Sequence, residues 1–280
     1  SGNSLRLSNR LFFNGSVTMK IREITDVIEA FAPLSAQESY DNSGLIVGDP
    51  QAEAESALLC VDITEPVLEE AVDRGIGLIV SHHPVVFHPL RRLTGSTYIE
   101  RVVARAVREG VALYACHTNL DSVPDGMSYR LAGMLGVEEL RLLSRSRTDD
   151  PRIGFGVVGE LAREMPAADF LAVMKERLNL KVIRHSELCR ETVRRVALCT
   201  GAGASLIPAA KEVGADLYVA ADFKYNDFLD ADGRLIVADV GHFESEYCAI
   251  DLLYDIITKK MPTFALRKSV KSQNPINYFV

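Results

Sequence analysis

Two adjacent imidazoles, His82 and His83, stand where the apolar run IGLIVS gives way to SHHPVVFHP. Three other apolar runs end on similar chemistry. VALYACH ends at His117 and continues through TNLD to Asp121, ADLYVAA is followed by Asp222, and RLIVADV leads to Gly241 and His242, four residues before Glu246. Imidazoles mixed with carboxylates favour Zn, Mn, Fe, Co or Ni over Ca or Mg. His242 and Glu246 would share one face at the start of a helix. On a regular strand His82 and His83 would point to opposite faces. Past the strand's end, with Pro84 restricting His83 to an extended or turn conformation, both can turn toward one cavity. Adjacent ligands with diverging directions suit two ions better than one. Two ions about 3.5–4 Å apart that share a carboxylate and a water would generate hydroxide at neutral pH and clamp a developing oxyanion. That is a geometry for hydrolysis or phosphoryl transfer.

The elements that must position these groups alternate along the chain. Ile21, Ile24, Val27, Ile28 and Phe31 recur at helical spacing. Then come strand SALLCVDI, helix TEPVLEEAVDRG, strand IGLIVS, helix TYIERVVARAVREG, strand VALYACH and a short helix SYRLAGMLG. The polar stretch LLSRSRTDDPRIG marks a boundary, after which the alternation restarts with GFGVVGEL, AADFLAVMKERL, KVIRH, RRVALCT, SLIPAAKEVG, ADLYVAA, YNDFLDA and RLIVADV. A long helix over roughly 243–260 and a strand TFALR close it. This rhythm predicts α/β layers with largely parallel sheets. It divides the chain into a first lobe at 19–148 and a second at 149–280, whose C-terminal segment is free to pack back on the first. Residues 1–18 precede Met19 and join no periodic element, so they read as a tag or upstream extension. In open α/β sheets ligands bind at the carboxyl ends of strands, and the histidines and acids above all fall at such ends.

Each residue also has a plainer reading. Asp121 could start a turn, and Glu246 could be a first-turn acid favoured by the helix dipole. Separate explanations of that kind do not account for acids and histidines at several strand ends together. His88 and His185 belong to no matched pattern and read as ordinary hydrogen-bonded histidines. Glu244, about 200° around the helix from Glu246, reads as solvated. Gly201 and Gly203 in TGAGAS fit a tight strand-to-helix turn better than a phosphate loop, since the Walker lysine is missing.

Composition narrows the function. Hydrophobic residues make up 48% of the 280, enough for a sizeable core, and the net charge of −7 argues against a non-specific nucleic-acid binder. A local basic surface such as RETVRR, Arg190 to Arg195, could offset this. No apolar run reaches the length of a membrane helix. Cys60, Cys116, Cys189, Cys199 and Cys248 form no CxxC pair, which fits reduced thiols in the cytoplasm better than disulfides or a thiolate zinc site.

SHHPVVF, HTNLD, GADLYVAADFKYNDFLDA and GHFESE, in this order, together with the opening loop DNSGLIVGD, resemble the Nif-three-like family of GTP cyclohydrolase 1 type 2 homologues. The resemblance runs from about Met19 to the last helix. It implies two interlinked α/β lobes with a dinuclear metal site between them, and assembly as a toroidal homohexamer. Carried over by motif, it implies His82, His83, Asp121, His242 and Glu246 as ligands of two divalent ions, with Glu246 bridging and His117 as a weak ligand or orienting partner. This chain departs from the pattern at Asn226, where many relatives carry a histidine able to shuttle protons. It is also too short for the domain that some relatives insert between the lobes. The expectation is a cytoplasmic metal-dependent hydrolase of a small polar or nucleotide substrate. The alternative is a non-catalytic metal-binding regulatory or protein-interaction factor.

Overall fold

The computed structural model describes residues 17–146 and 149–279. Residues 1–16, nearly all of the segment read as a tag or extension, lie outside the described residues, as do 147 and 148 at the expected boundary.

The chain builds two lobes, each around one sheet. The first sheet has five strands in the order Ala265–Lys268, Ser56–Cys60, Leu78–Ser81, Ala112–Ala115 and Gly44–Val47. The first four are parallel and the last is antiparallel at the edge. SALLC, LIVS and ALYA are short runs of apolar residues buried almost throughout, as strands covered on both faces must be. Leu58, Cys60 and Ile79 pack toward helices Glu65–Asp73 and Tyr98–Glu109. Their neighbours Ala57, Leu59, Leu78 and Val80 face helices Ile21–Phe31 and Cys248–Lys260. The period of two in the strands thus feeds two separate cores.

The second sheet has six strands, Val137–Arg145, Gly154–Pro166, Thr192–Ala202, Leu217–Ala221, Ile236–Asp239 and Arg184–His185. It differs from the expected parallel arrangement. Only the two pairs among Thr192–Ala202, Leu217–Ala221 and Ile236–Asp239 are parallel, and the outer three pairs are antiparallel. The reason is a hairpin. VEELRLLSR, whose charged residues hide its period of two, is a strand paired with Gly154–Pro166. The second sheet therefore begins at Val137, ahead of the boundary read from the polar stretch. Helix Met127–Leu135 likewise packs Leu131, Ala132 and Leu135 on this sheet. Of KVIRH only Arg184–His185 is strand. The long helix expected at the end is two, His242–Glu246 and Cys248–Lys260, joined through Tyr247, which keeps helical dihedrals.

The run RETVRR presents no free basic surface. Arg190 meets Asp216, and Arg194 and Arg195 share Glu160. The five cysteines are all free, and all but the half-buried Cys189 are buried. Among the described residues no helix is long and apolar enough to cross a membrane.

Candidate metal centre

Irregular backbone lets His82 and His83 escape strand alternation. His82 N donates to Cys60 O at 3.2 Å and His83 N to Val61 O at 3.0 Å. Consecutive N–H groups of a regular strand point to opposite sides; here both go to the same neighbouring segment. The two rings end 5.0 Å apart. From the next strand, His117 opens the short helix Thr118–Ser122, which carries Asp121. Across the lobe boundary, Gly241 at a φ of +86° turns the chain into His242–Glu246. His242 and Glu246 then meet across one helical turn at 3.0 Å.

The four rings share one design. His82 Nδ1 donates to the Cys116 carbonyl at 2.9 Å. His83 Nδ1 donates to Asp62 at 2.8 Å, His117 Nδ1 to Asp41 at 2.8 Å and His242 Nδ1 to Asp222 at 2.7 Å. Carbonyls and carboxylates only accept, so each Nδ1 carries a proton and each Nε2 faces the centre. Partners on the outer nitrogen that fix the tautomer are what metal-binding histidines require. Two sets of ligand atoms converge, His82 with His83 and His117, and His83 with His242 and Glu246. His83 belongs to both, so the adjacent histidines do not divide cleanly between two positions. Asp121 belongs to neither set. Its Oδ1 is 3.6 Å from His82 Nε2 and accepts from Thr200 Oγ1 at 3.4 Å.

Glu246 is the hub. Its Oε2 lies 2.8 Å from His83 Nε2 and 3.0 Å from His242 Nε2, and its Oε1 lies 3.6 Å from His82 Nε2. Even so, Glu246 Oε2 and His82 Nε2 are buried without an aligned hydrogen-bond partner. Buried polar atoms are rarely left so, and donors converging without hydrogen-bond geometry are what a cation between them would satisfy. The donor set fits a divalent ion of the zinc-to-nickel group. Gly201 makes room for it. A Cβ there would fall 2.2 Å from Glu246 Oε1, and φ is +64°. The glycine that reads as a turn residue is thus the wall of the site.

Charge follows the same geometry. Burial disfavours the charged form of His83, but Asp62 and Glu246 outweigh it and push the ring up to about 10. His242, opposed by burial and supported by Glu246 and Asp222, rises to about 9. Burial raises Asp121, opposed by the charge of His82. Burial would raise Glu246 as well, yet His82, His242 and His83 hold it well below the usual carboxylate range. Asp41 is also depressed, because burial is overcome by its bonds to His117 and Thr118.

The other sequence candidates fall into place around this centre. Asp222 holds the unusual φ of +59° for a non-glycine residue, in keeping with strain stored near functional groups. His88, His185 and Asn226 are exposed. Glu244, expected to be solvated, is half-buried, with Oε1 accepting from Asn274 Nδ2 and Tyr278 OH. Sequence reasoning missed the orienting roles of Asp41 and Asp62. The signal for Asp62 was present, since it follows the strand Ser56–Cys60 as the other site residues follow theirs.

Known proteins share this architecture. The chain is 34% identical to a GTP cyclohydrolase 1 type 2 homolog of Clostridium perfringens, over 82% of this chain and 87% of the relative. It is 32% identical to one of Campylobacter jejuni, over 93% and 100%. The crystal structure of Staphylococcus aureus protein SA1388 superposes with a TM-score of 0.84 at 25% identity, covering 93% of this chain and 99% of that one. The family model Duf34/NIF3 (NGG1p interacting factor 3) matches residues 19–275, and with the two-lobe fold and these relatives it establishes that the chain belongs to the Duf34/NIF3 family.

Proposed function

We propose that this chain binds two divalent metal ions between its lobes and hydrolyses a small polar or nucleotide substrate. His82, His83, Asp121, His242 and Glu246 would hold the ions, with His117 as a further ligand or orienting partner. The observation that carries the reading is the convergence of His82, His83 and His242 on Glu246 with buried, unpartnered donor atoms at the centre. Bound divalent ions would supply Lewis acidity to a hydrolytic reaction. The protein's own part is positional. Asp62, Asp41 and Asp222 accept from the outer Nδ1 of His83, His117 and His242, so that Nε2 of each ring faces the centre. Glu246 supplies the compensating negative charge. The name carried by the curated relatives, GTP cyclohydrolase 1 type 2 homolog, supports a nucleotide as one substrate to test.

Elemental analysis after incubation with Zn, Mn, Fe, Co and Ni tests the first step, and protein that stays metal-free overturns it. Turnover across a nucleotide and phosphoester panel tests the second, and His83→Ala and Glu246→Ala should abolish it.

A second reading is a metal-binding interaction factor without turnover. Asn226 cannot shuttle protons, and two cavities of about 400 and 510 Å3 lie away from the centre, beside Arg101 and beside Phe228. The family's description as an interacting factor agrees with it. Variants that change metal content or partner binding, with no hydrolysis by the parent, would favour it. The toroidal hexamer implied by resemblance belongs to either reading, and light scattering at a hexamer's mass would support it.

A further inference from the structure

The C-terminal segment after the strand Ala265–Lys268 does not simply trail from the first sheet. Ser269 N donates to Leu59 O at 2.9 Å, continuing the sheet pairing, and Ser269 Oγ donates to the buried carboxylate of Glu70 at 2.6 Å. Three residues on, Ser272 Oγ accepts from Val61 N at 3.0 Å. Val61 is a pivotal residue, because its carbonyl accepts from His83 N and the next side chain, Asp62, holds the His83 ring. One peptide segment therefore joins the tail to His83 through both backbone and side chain.

The tail then reaches the other lobe. Ile276 N donates to Asn274 Oδ1 at 2.9 Å, which turns Asn274 Nδ2 toward Glu244 Oε1 at 2.9 Å. Tyr278 OH donates to the same oxygen at 3.2 Å. Glu244 sits between His242 and Glu246 in their five-residue helix. Its other oxygen is buried against Gly241, where a Cβ would fall 2.2 Å away. Glu244 shares one helical turn with His242 and Glu246, so a restraint on Glu244 bears on the placing of both neighbours. Tyr278 lies beyond residue 275, where the match to the family model ends.

We propose that residues 269–279 form a clamp across the two lobes that positions the metal-facing side chains of both, with Ser272, Asn274 and Tyr278 as its positioning residues. Ser272 registers the His83 side and the Asn274–Tyr278 pair registers the His242–Glu246 side. This rests on the metal-binding reading above. The clamp's effect is on metal retention, since it fixes the separation of donors that come from different sheets.

The test uses the full chain loaded with Co2+ alone. Chelator-driven Co2+ loss is timed for the parent, Tyr278→Phe, Asn274→Ala, the double variant and Ser272→Ala, and the visible Co2+ spectrum is recorded for each. The clamp predicts loss accelerated about tenfold in the double variant, as for other residues that orient ligands indirectly, with a changed spectrum and an unchanged far-ultraviolet circular dichroism signal. Should the double variant fail to fold, Tyr278→Phe, which removes one hydroxyl, should still lose Co2+ measurably faster than the parent. Parent and variants losing Co2+ at the same rate, with the same spectrum, would overturn the clamp and leave the metal reading standing. A parent that takes up no Co2+ would overturn the clamp, and one that takes up none of Zn, Mn, Fe, Co and Ni would overturn the metal reading with it.

Discussion

Glu246 and His83 belong to different lobes, yet Glu246 Oε2 lies 2.8 Å from His83 Nε2. One sheet delivers His83 at the end of Leu78–Ser81, and the other delivers Glu246 one helix beyond Ile236–Asp239. Two independent cores must therefore be in register before these atoms can meet. The contact is shielded from solvent, because the Glu246 side chain is only 4% exposed, and low dielectric strengthens the attraction that offsets the cost of burying the charge.

Replacing Glu246 with glutamine keeps the shape and removes the charge on which three imidazoles converge. The metal bound at a fixed free Zn2+ concentration should fall by at least about tenfold, the lower end of what far less central partners cost. Equilibrium dialysis with elemental analysis measures this. Parent-like metal content in Glu246→Gln would show that the carboxylate is not a ligand.

The outer carboxylates allow a finer test. Asp62 and Asp222 are partly exposed, at 42% and 51% of their side chains, so Asp62→Asn and Asp222→Asn should leave melting temperature close to the parent's. Metal affinity should nevertheless drop about 10–100-fold, because an asparagine neither charges the ring nor fixes its tautomer as firmly. Asp41 differs. Its side chain is fully buried and also accepts from Ser43 and Thr118, so Asp41→Asn should lower stability by about 1–3 kcal/mol as well. Paired denaturation and metal titrations separate the two classes.

Much of this centre was legible because strand-end position and residue type coincide. His82, His83, His242 and Glu246 follow apolar runs whose buried strands are unmistakable, and their convergence follows from the α/β layering. The mixed second sheet was not legible. Val137–Arg145 alternates too weakly, with Glu138, Glu139 and Arg141 among its residues, and nothing local distinguishes a hairpin partner from a linker. Glu244 was misread for a related reason. Helical period places it away from Glu246, but only the tertiary path of the tail reveals that Asn274 and Tyr278 wait on that side. Asp41 and Asp62 become informative only once the histidines they face are in place.

Proton linkage follows from the raised histidines. In the metal-free protein Asp62 and Glu246 push His83 up to about 10, and Glu246 and Asp222 push His242 up to about 9, so both rings favour the charged form at pH 7. A folded-state value above the unfolded value of about 6.5 means that their charged contacts stabilise the metal-free fold fully below that pH. This stabilisation is lost as pH rises through about 9 to 10. Ligation needs the neutral ring, so metal binding should release protons at pH 7 and its affinity should climb with pH toward that same range. Calorimetric titration in two buffers of different ionisation enthalpy reads the protons released, and a buffer-independent enthalpy would contradict the assignment.

Gly201 provides the sharpest steric test, because Gly75 offers a matched control. The two have nearly the same φ, +64° and +65°, but a Cβ at Gly75 meets nothing within 4 Å while one at Gly201 falls 2.2 Å from Glu246 Oε1. Gly75→Ala should cost only the left-handed backbone strain, about 1–2 kcal/mol, with metal content unchanged. Gly201→Ala should cost more than that and should also weaken metal binding, since the Glu246 carboxylate must leave its place between His83 and His242. Thermal melts of the metal-free variants, with metal titrations alongside, compare them directly. Equal losses of stability with equal metal affinity would mean that the strand at Gly201 yields and the carboxylate does not depend on the space beside it.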